Sequence, residues 1–133
     1  MPYRVLVVDD EAVTHAALSL LISVEDALVV TEPAFDASEA LRLVRASCAD
    51  IIICDTNMPG LSGIEAVPLL REACPRAVIA LYSAHPTART GLQVGADAVF
   101  DKASDDPCEM LAELVRLANA KTPQIGPLGV ETT

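Results

Sequence analysis

Short apolar runs alternate with longer segments of helical period along this chain, and this alternation limits the fold more than any other feature. Five runs are apolar on nearly every position: RVLVV (4–8), ALVV (27–30), IIIC (51–54), AVIAL (77–81) and AVF (98–100). Consecutive apolar side chains indicate strands that are buried on both faces, as in a parallel sheet covered by helices. The pattern therefore predicts an α/β protein.

The segments between these runs show the periodicity of amphipathic helices. The first segment carries an apolar stripe at helical spacing, made of Val13, Ala16, Ala17, Leu20, Leu21 and Val24. Asp36 with Glu39, and Ser62 with Glu65, have the spacing of capping boxes and predict the starts of the second and third helices.

A fourth, short helix is predicted to open at Pro86 and Thr87, and a fifth at Asp106. Five strand–helix units predict a doubly wound, flavodoxin-like parallel sheet with strand order 2-1-3-4-5 and helices on both faces. Residues 1–121 are expected to form one domain. Residues 122–133 are rich in Pro, Gly and Thr without a period, which predicts a disordered tail or the start of a linker.

The composition argues against several classes of function. Asp and Glu number 19 against 9 Lys and Arg, and the net charge of −10 repels nucleic acid and anionic lipid. No apolar run approaches the roughly 18 residues of a membrane span, and no basic signal region precedes the first strand. A cytoplasmic protein without membrane or direct nucleic-acid contact is expected. Cys48, Cys54, Cys74 and Cys108 form no C-x-x-C pair and are interpreted as reduced, small hydrophobic residues.

Polar side chains follow four of the predicted strands. Asp9 and Asp10 follow the first, Asp55 the third, Ser83 the fourth and Lys102 the fifth. In the order 2-1-3-4-5 the first and third strands are neighbours where the winding reverses, and ligands bind at the carboxyl ends of strands at that point. Three carboxylates are therefore predicted to converge at one edge of the sheet.

Such a cluster is unfavourable without a cation, because neighbouring carboxylates raise each other's pKa. The ligands are hard oxygens, which favours Mg²⁺, or Mn²⁺, over zinc. Mg²⁺ on carboxylates commonly takes a phosphate oxygen as well, so the cluster indicates phosphoryl chemistry. Lys102 and Ser83 supply a positive charge and a hydroxyl donor at the same edge.

Four motifs, VLVVDDE, DTNMPGLSG, LYSAH and GADAVFDKAS, occur in this order along the chain. Together they resemble the CheY-like receiver domain of two-component response regulators, over about residues 4 to 120. The resemblance implies that Asp55 accepts a phosphoryl group from a sensor histidine kinase or a phosphotransfer protein. It further implies that Asp10, Asp55 and the backbone carbonyl of Asn57 bind Mg²⁺ directly, while Asp9 holds a metal-bound water.

The resemblance also implies how the signal is passed on. Lys102 would pair with the phosphoryl oxygens, and Ser83 would be drawn toward them, which shifts the population toward an active conformation. The same site would hydrolyse the acyl phosphate, so the domain catalyses only its own phosphorylation and dephosphorylation. The face of the fourth helix, fifth strand and fifth helix is the expected surface for readout by a downstream protein or fused output domain, and for a homodimer.

Two positions depart from the pattern of the family. Val99 stands where receivers usually have a switching aromatic residue, and Phe100 beside it should face the opposite side of the sheet. Ala103 stands where the family often has a proline joined by a cis bond. A cis bond without proline costs about 3 kcal/mol.

Other interpretations stay open at this point. The acids at 9–11 have the composition of a helix cap, and Ser83 with His85 suggests a hydrolase, although no G-x-S-x-G motif surrounds the serine. Phosphatases of the haloacid dehalogenase type also use a strand-end aspartate, but with a second acid where this chain has Asn57. The last alternative is a pseudo-receiver that binds partners without being phosphorylated. His15 is expected to be a helix-surface residue.

Overall fold

The computed structural model describes residues 2–84, 88–121, 124–125 and 131–132. The strands of the main sheet are β1 (Tyr3–Val8), β2 (Leu28–Val30), β3 (Ile51–Cys54), β4 (Val78–Ser83) and β5 (Ala98–Asp101). The helices are α1 (Ala12–Ser23), α2 (Ala37–Ala46), α3 (Gly63–Ala73), α4 (Ala88–Gln93) and α5 (Pro107–Lys121). Two short strands, β6 (Gln124–Ile125) and β7 (Glu131–Thr132), pair antiparallel outside the main sheet.

The main sheet confirms the predicted fold class. Its strand order is β2-β1-β3-β4-β5, and every neighbouring pair is parallel. One face packs against α2 and α3, and the other packs against α1 and α5. The central strand β3 explains the run of consecutive apolar residues, because Ile51–Cys54 is buried along its whole length. The domain boundary at residue 121 stays a prediction.

Helix α1 does not pack as the sequence analysis predicts. Three members of the predicted stripe, Val13, Leu20 and Val24, are 70%, 69% and 79% exposed. The buried side chains of α1 are instead His15, Leu18 and Ile22. Because apolar residues surround most of this helix, its periodicity did not identify the face that contacts the sheet.

The expectation that His15 lies on the helix surface is therefore wrong as well. The side chain is buried, and its Nε2 atom donates a hydrogen bond to the backbone carbonyl of Asp9, 2.8 Å away. Its ring lies against Phe35 with 4.5 Å between the ring centroids. His15 thus connects α1 to the segment that follows β1.

The predicted helix starts are confirmed where the structure describes them. Ser62 and Glu65 form the complete capping box of α3. Asp36 accepts from the Glu39 backbone N–H, while the Glu39 carboxylate reaches the N–H of Phe35. Asp106 accepts from a backbone N–H in the first turn of α5. The predicted start of the fourth helix, at residues 86–87, lies outside the described residues.

The interpretation of all four cysteines as reduced residues is wrong for two of them. Cys48 and Cys74 form a disulfide, with Cα atoms 5.7 Å apart, while Cys54 and Cys108 are free thiols. Cys48 precedes β3 and Cys74 caps the end of α3. The chain runs out along the strand and back along the helix, so residues separated by 26 positions meet at one edge of the sheet.

Asp97 ties three elements together before β5. Its carboxylate accepts from the Ile79 N–H at 2.8 Å, from Arg71 at 2.7 Å and from the Lys121 ammonium at 3.0 Å. Burial alone would raise the pKa of Asp97, but these hydrogen bonds outweigh it and hold the pKa below its ordinary value. The carboxylate therefore fixes α3 and α5 to the edge of β4.

Two further expectations concern the backbone and the membrane. Over the described ranges no peptide bond is cis, so Lys102 and Ala103 are joined by a trans bond. Among the same residues, none of the helices combines the length and the apolar character that a bilayer crossing requires.

Candidate functional site

Asp9 and Asp55 lie side by side at the carboxyl ends of β1 and β3. The pairing of Val8 with Cys54 sets this register, and the Asp55 N–H donates to the Val8 carbonyl at 2.8 Å. Both carboxylates are buried, with relative exposures of 2% and 6%. Adjacent parallel strands end at the same edge of a sheet, which is why two distant acids become neighbours.

Two exposed acids complete the cluster. Each of Asp9, Asp10, Glu11 and Asp55 offers a carboxylate oxygen, and these atoms lie within 4.8 Å of one another. The sequence analysis predicted three of these carboxylates and treated Glu11 only as part of a helix cap. Glu11 makes no side-chain cap at the start of α1. Asp9 does accept a hydrogen bond from the Glu11 N–H through Oδ1 at 2.8 Å, while its Oδ2 contacts the ammonium of Lys102.

Lys102 extends from the end of β5 into the acidic cluster. Its ammonium lies 2.6 Å from Asp9 Oδ2, 3.5 Å from Asp55 Oδ2 and 3.6 Å from Glu11 Oε1. Burial alone would lower the pKa of Lys102, but the hydrogen bond and charge of Asp9, followed by the charges of Asp55 and Glu11, raise it. The side chain is therefore a protonated cation at neutral pH.

The negative charge of Asp55 lies farther from the Lys102 ammonium than the charge of Asp9 does. Burial raises the pKa of its carboxyl group, and the neighbouring Asp9 charge raises it further. The N–H of Asn57, 3.3 Å from Oδ1, and the charge of Lys102 act in the opposite direction without cancelling the rise. The ionised carboxylate therefore gains from any additional cation nearby.

Ser83 lies at the end of β4 and is fully buried. Its hydroxyl forms a hydrogen bond with the hydroxyl of Thr56, which is also buried. The sequence analysis missed Thr56, although the strand register contains the signal. Cys54 pairs with Leu81, so the same register carried two residues further places Thr56 opposite Ser83.

The segment after Asp55 folds back closely beneath the site. The Gly63 N–H donates to the Thr56 carbonyl at 3.0 Å, and a Cβ at position 63 would lie 2.0 Å from the Asp55 carbonyl oxygen. Only glycine can start α3 so close to the end of β3. Asn57, named as a metal-binding candidate for its carbonyl, is exposed in this segment.

Val99, at the position where the family usually has an aromatic residue, lies against α4. Val99 packs with the core on the side of α2 and α3, while Phe100 packs on the side of α1 and α5, as the alternation of strand side chains predicts. A Cβ at Gly91 of α4 would lie 2.8 Å from Val99 Cγ2. His85, the other member of the hydrolase alternative, lies outside the described residues.

The donor chemistry of the site fits a hard divalent cation. Four carboxylate oxygens lie within 4.8 Å of one another, with neither sulfur nor imidazole among them, and Mg²⁺ and Mn²⁺ prefer oxygen ligands of this kind. Asp9 already accepts from Lys102 at 2.6 Å, whereas Asp55 lies 3.5 Å from the same ammonium, so Asp55 is the buried carboxylate with the greater need for a cation.

Comparisons with known proteins identify the family of this chain. The model of the response regulator receiver domain family matches residues 5–115. The positive alginate biosynthesis regulatory protein of Pseudomonas aeruginosa is 35% identical over 117 residues, which is 85% of this chain and 47% of that protein. The chain spans between 20% and 55% of the lengths of the curated relatives that it matches first.

Solved receiver structures superpose closely. A two-component response regulator of the LuxR family from Aurantimonas has a TM-score of 0.81 at 28% identity, covering 90% of this chain and 87% of that one. The response regulator domain of Thermotoga maritima CheB has a TM-score of 0.80 at 27% identity, covering 90% and 98%. The resemblance seen in the sequence motifs is thus confirmed, and the chain belongs to the response regulator receiver domain family.

Proposed function

We propose that this receiver accepts a phosphoryl group on Asp55, in a Mg²⁺-dependent reaction, from a sensor histidine kinase or a phosphotransfer protein. The observation that carries the proposal is the position of the Asp55 carboxylate, buried beside three further carboxylates and 3.5 Å from the Lys102 ammonium. A nucleophile flanked by a cation site and a fixed positive charge suits phosphoryl transfer, which depends mainly on positioning and charge neutralisation.

The residues of the acidic cluster would divide the metal ligation among them. Asp10, Asp55 and the backbone carbonyl of Asn57 would bind Mg²⁺, and Asp9 would hold a metal-bound water. The bound ion supplies positive charge that offsets the charge on the phosphoryl oxygens. Asp9 supports this division, because its Oδ2 is already in contact with Lys102 at 2.6 Å.

In the transfer step, a carboxylate oxygen of Asp55 forms a bond to phosphorus as the bond from phosphorus to the donor histidine nitrogen breaks. The imidazole leaves with the electron pair of that bond. Lys102 then pairs with the phosphoryl oxygens, since its ammonium already lies 3.5 Å from Asp55 Oδ2. Ser83 donates its hydroxyl to another phosphoryl oxygen, and the loops that carry these residues move with them.

The output of this change is a population shift rather than action on an external substrate. The face formed by α4, β5 and α5 is the proposed surface for a downstream protein, a fused output domain or a second copy of the chain. A receiver of this kind would act in the cytoplasm, where kinases present their phosphohistidine. The activities of the relatives that carry methylesterase or regulatory names reside in proteins longer than this chain.

Two alternatives are less well supported by the residues. A haloacid-dehalogenase-like phosphatase needs an acid two residues after its nucleophile, and Asn57 cannot donate a proton as an acid does. A pseudo-receiver has no need of the complete set of Asp9, Asp10, Asp55 and Lys102, which this chain brings together.

The test is intact mass spectrometry after incubation with Mg²⁺ and acetyl phosphate, a small phosphoryl donor. We expect the parent protein to gain one phosphoryl group, and Asp55→Asn or added EDTA to abolish the gain. Asp50→Asn, which alters a carboxylate on the opposite edge of the sheet, is the matched control and should still be phosphorylated. Absence of any gain in the folded parent protein, with either Mg²⁺ or Mn²⁺, would favour the pseudo-receiver instead.

A further inference from the structure

We infer that Thr56 is a positioning residue that holds the Ser83 hydroxyl in its resting place and so sets how readily the domain adopts its phosphorylated conformation. The inference rests on the proposed function of Asp55. The contact that carries it is the hydrogen bond between the two hydroxyl groups, at the ends of the adjacent strands β3 and β4. Both side chains are buried, with relative exposures of 8% for Thr56 and 0% for Ser83.

Each partner of this hydrogen bond is anchored independently. The Thr56 carbonyl accepts from Gly63 at 3.0 Å, which fixes the threonine to the start of α3. The Ser83 carbonyl accepts from the Lys102 N–H at 2.9 Å, which fixes the serine to the end of β5. Their hydroxyls therefore connect the Asp55 segment to the strand ends that carry Ser83 and Lys102.

In this inference the Ser83 hydroxyl donates to Thr56, so a phosphoryl group on Asp55 would compete with Thr56 for that hydroxyl. Its charged oxygens accept stronger hydrogen bonds than a neutral hydroxyl does. Departure of Ser83 from Thr56 breaks a buried hydrogen bond, and a phosphoryl oxygen offers an acceptor that replaces it. Thr56 thus stabilises the resting conformation and opposes the partner exchange that follows phosphorylation.

Removal of the Thr56 hydroxyl should therefore favour the phosphorylated conformation. Thr56→Val keeps the branched shape of the side chain and removes only the hydroxyl. The loss of one buried hydrogen bond from the resting state should tighten the binding of a phosphoryl mimic by roughly 3- to 10-fold. Thr56→Ser retains a hydroxyl and should bind the mimic with an affinity close to that of the parent protein.

The experiment is a titration of the Mg²⁺-loaded protein with beryllofluoride, which mimics a phosphoryl group on an aspartate, followed by the populations of free and bound amide signals in NMR spectra. The variants are Thr56→Val, Thr56→Ser, Ser83→Ala and the double variant Thr56→Val/Ser83→Ala. Tighter binding by Thr56→Val that disappears in the Ser83→Ala background supports the inference. A role of Thr56 in packing alone would leave the same effect in both backgrounds.

Unchanged or weaker binding by Thr56→Val would overturn the inference while leaving phosphorylation of Asp55 intact. If the folded parent protein itself takes up no beryllofluoride, the proposed function fails and this inference fails with it. Thr56→Ala also lacks the hydroxyl and goes through the same titration if Thr56→Val does not fold.

Discussion

Reduction of the Cys48–Cys74 disulfide should lower the stability of this domain substantially. The crosslink joins residues separated by 26 positions, and the ring it closes contains β3, Asp55 and α3. A crosslink stabilises the folded state mainly because it restricts the unfolded chain, and its effect grows with the logarithm of loop length. For this separation the chain-entropy relation gives about 3.5 kcal/mol at 25 °C.

The assay is urea unfolding followed by far-ultraviolet circular dichroism, with and without a phosphine reductant. With a denaturant slope of about 1 to 3 kcal/mol per molar urea, a loss of about 3.5 kcal/mol should lower the unfolding midpoint by about 1.2 to 3.5 M. The variant Cys48→Ala/Cys74→Ala should unfold at a low urea concentration with or without reductant. Cys108→Ala, which alters an exposed free thiol, should keep the full dependence on reductant.

A thiol count separates the two ways in which this prediction can fail. Titration of the denatured, unreduced protein should find two thiols, those of Cys54 and Cys108. Four thiols would show that the crosslink does not form in the purified protein. Two thiols with an unchanged unfolding midpoint would show instead that the loop-entropy argument does not apply to this ring.

Three further predictions test other parts of the structure. Because its pKa is lowered, Asp97 stabilises the fold above pH 3.8, and the stability difference between the parent protein and Asp97→Asn should shrink as the pH falls below that value in urea titrations. Gly63→Ala should lower the free energy of unfolding by about 3 kcal/mol or more, whereas Gly60→Ala, at a φ of 80° with open space around it, should cost about 1 to 2 kcal/mol in the same assay. Burial raises the pKa of Cys54 to about 12, so iodoacetamide at pH 8 should alkylate Cys108 alone in the folded, oxidised protein, as mass spectrometry would show.

The sheet and most of the site could be predicted because each rests on local sequence. Runs such as IIIC identify buried strands by themselves, and the ends of parallel strands meet at one edge without further information. Asp9, Asp55, Ser83 and Lys102 therefore come together as soon as the strand order is known. The roles proposed for them still require the phosphorylation experiment.

The features that the sequence did not reveal depend on how elements pack against each other. Helix α1 has apolar residues on several sides, so only its contact with the sheet decides that Leu18 is buried and Leu20 exposed. The disulfide depends on the length of α3 relative to β3, which places Cys74 beside Cys48. Prediction of Thr56 as a partner of Ser83 would have required the register of β3 against β4, which the apolar runs do not specify.

The absence of an aromatic residue at position 99 has a structural counterpart in α4. A Cβ atom at Gly91 would lie 2.8 Å from both Val99 Cγ2 and Leu81 Cδ1, so the backbone of α4 packs directly on side chains of β4 and β5. Val99 lies three residues before Lys102, and Leu81 lies two residues before Ser83. A displacement of either strand end is therefore transmitted to α4 by direct packing, because close-packed protein interiors transmit small shifts. A side chain at position 91 would force Val99, Leu81 or α4 to shift, so Gly91 permits the close approach of α4 to β4 and β5.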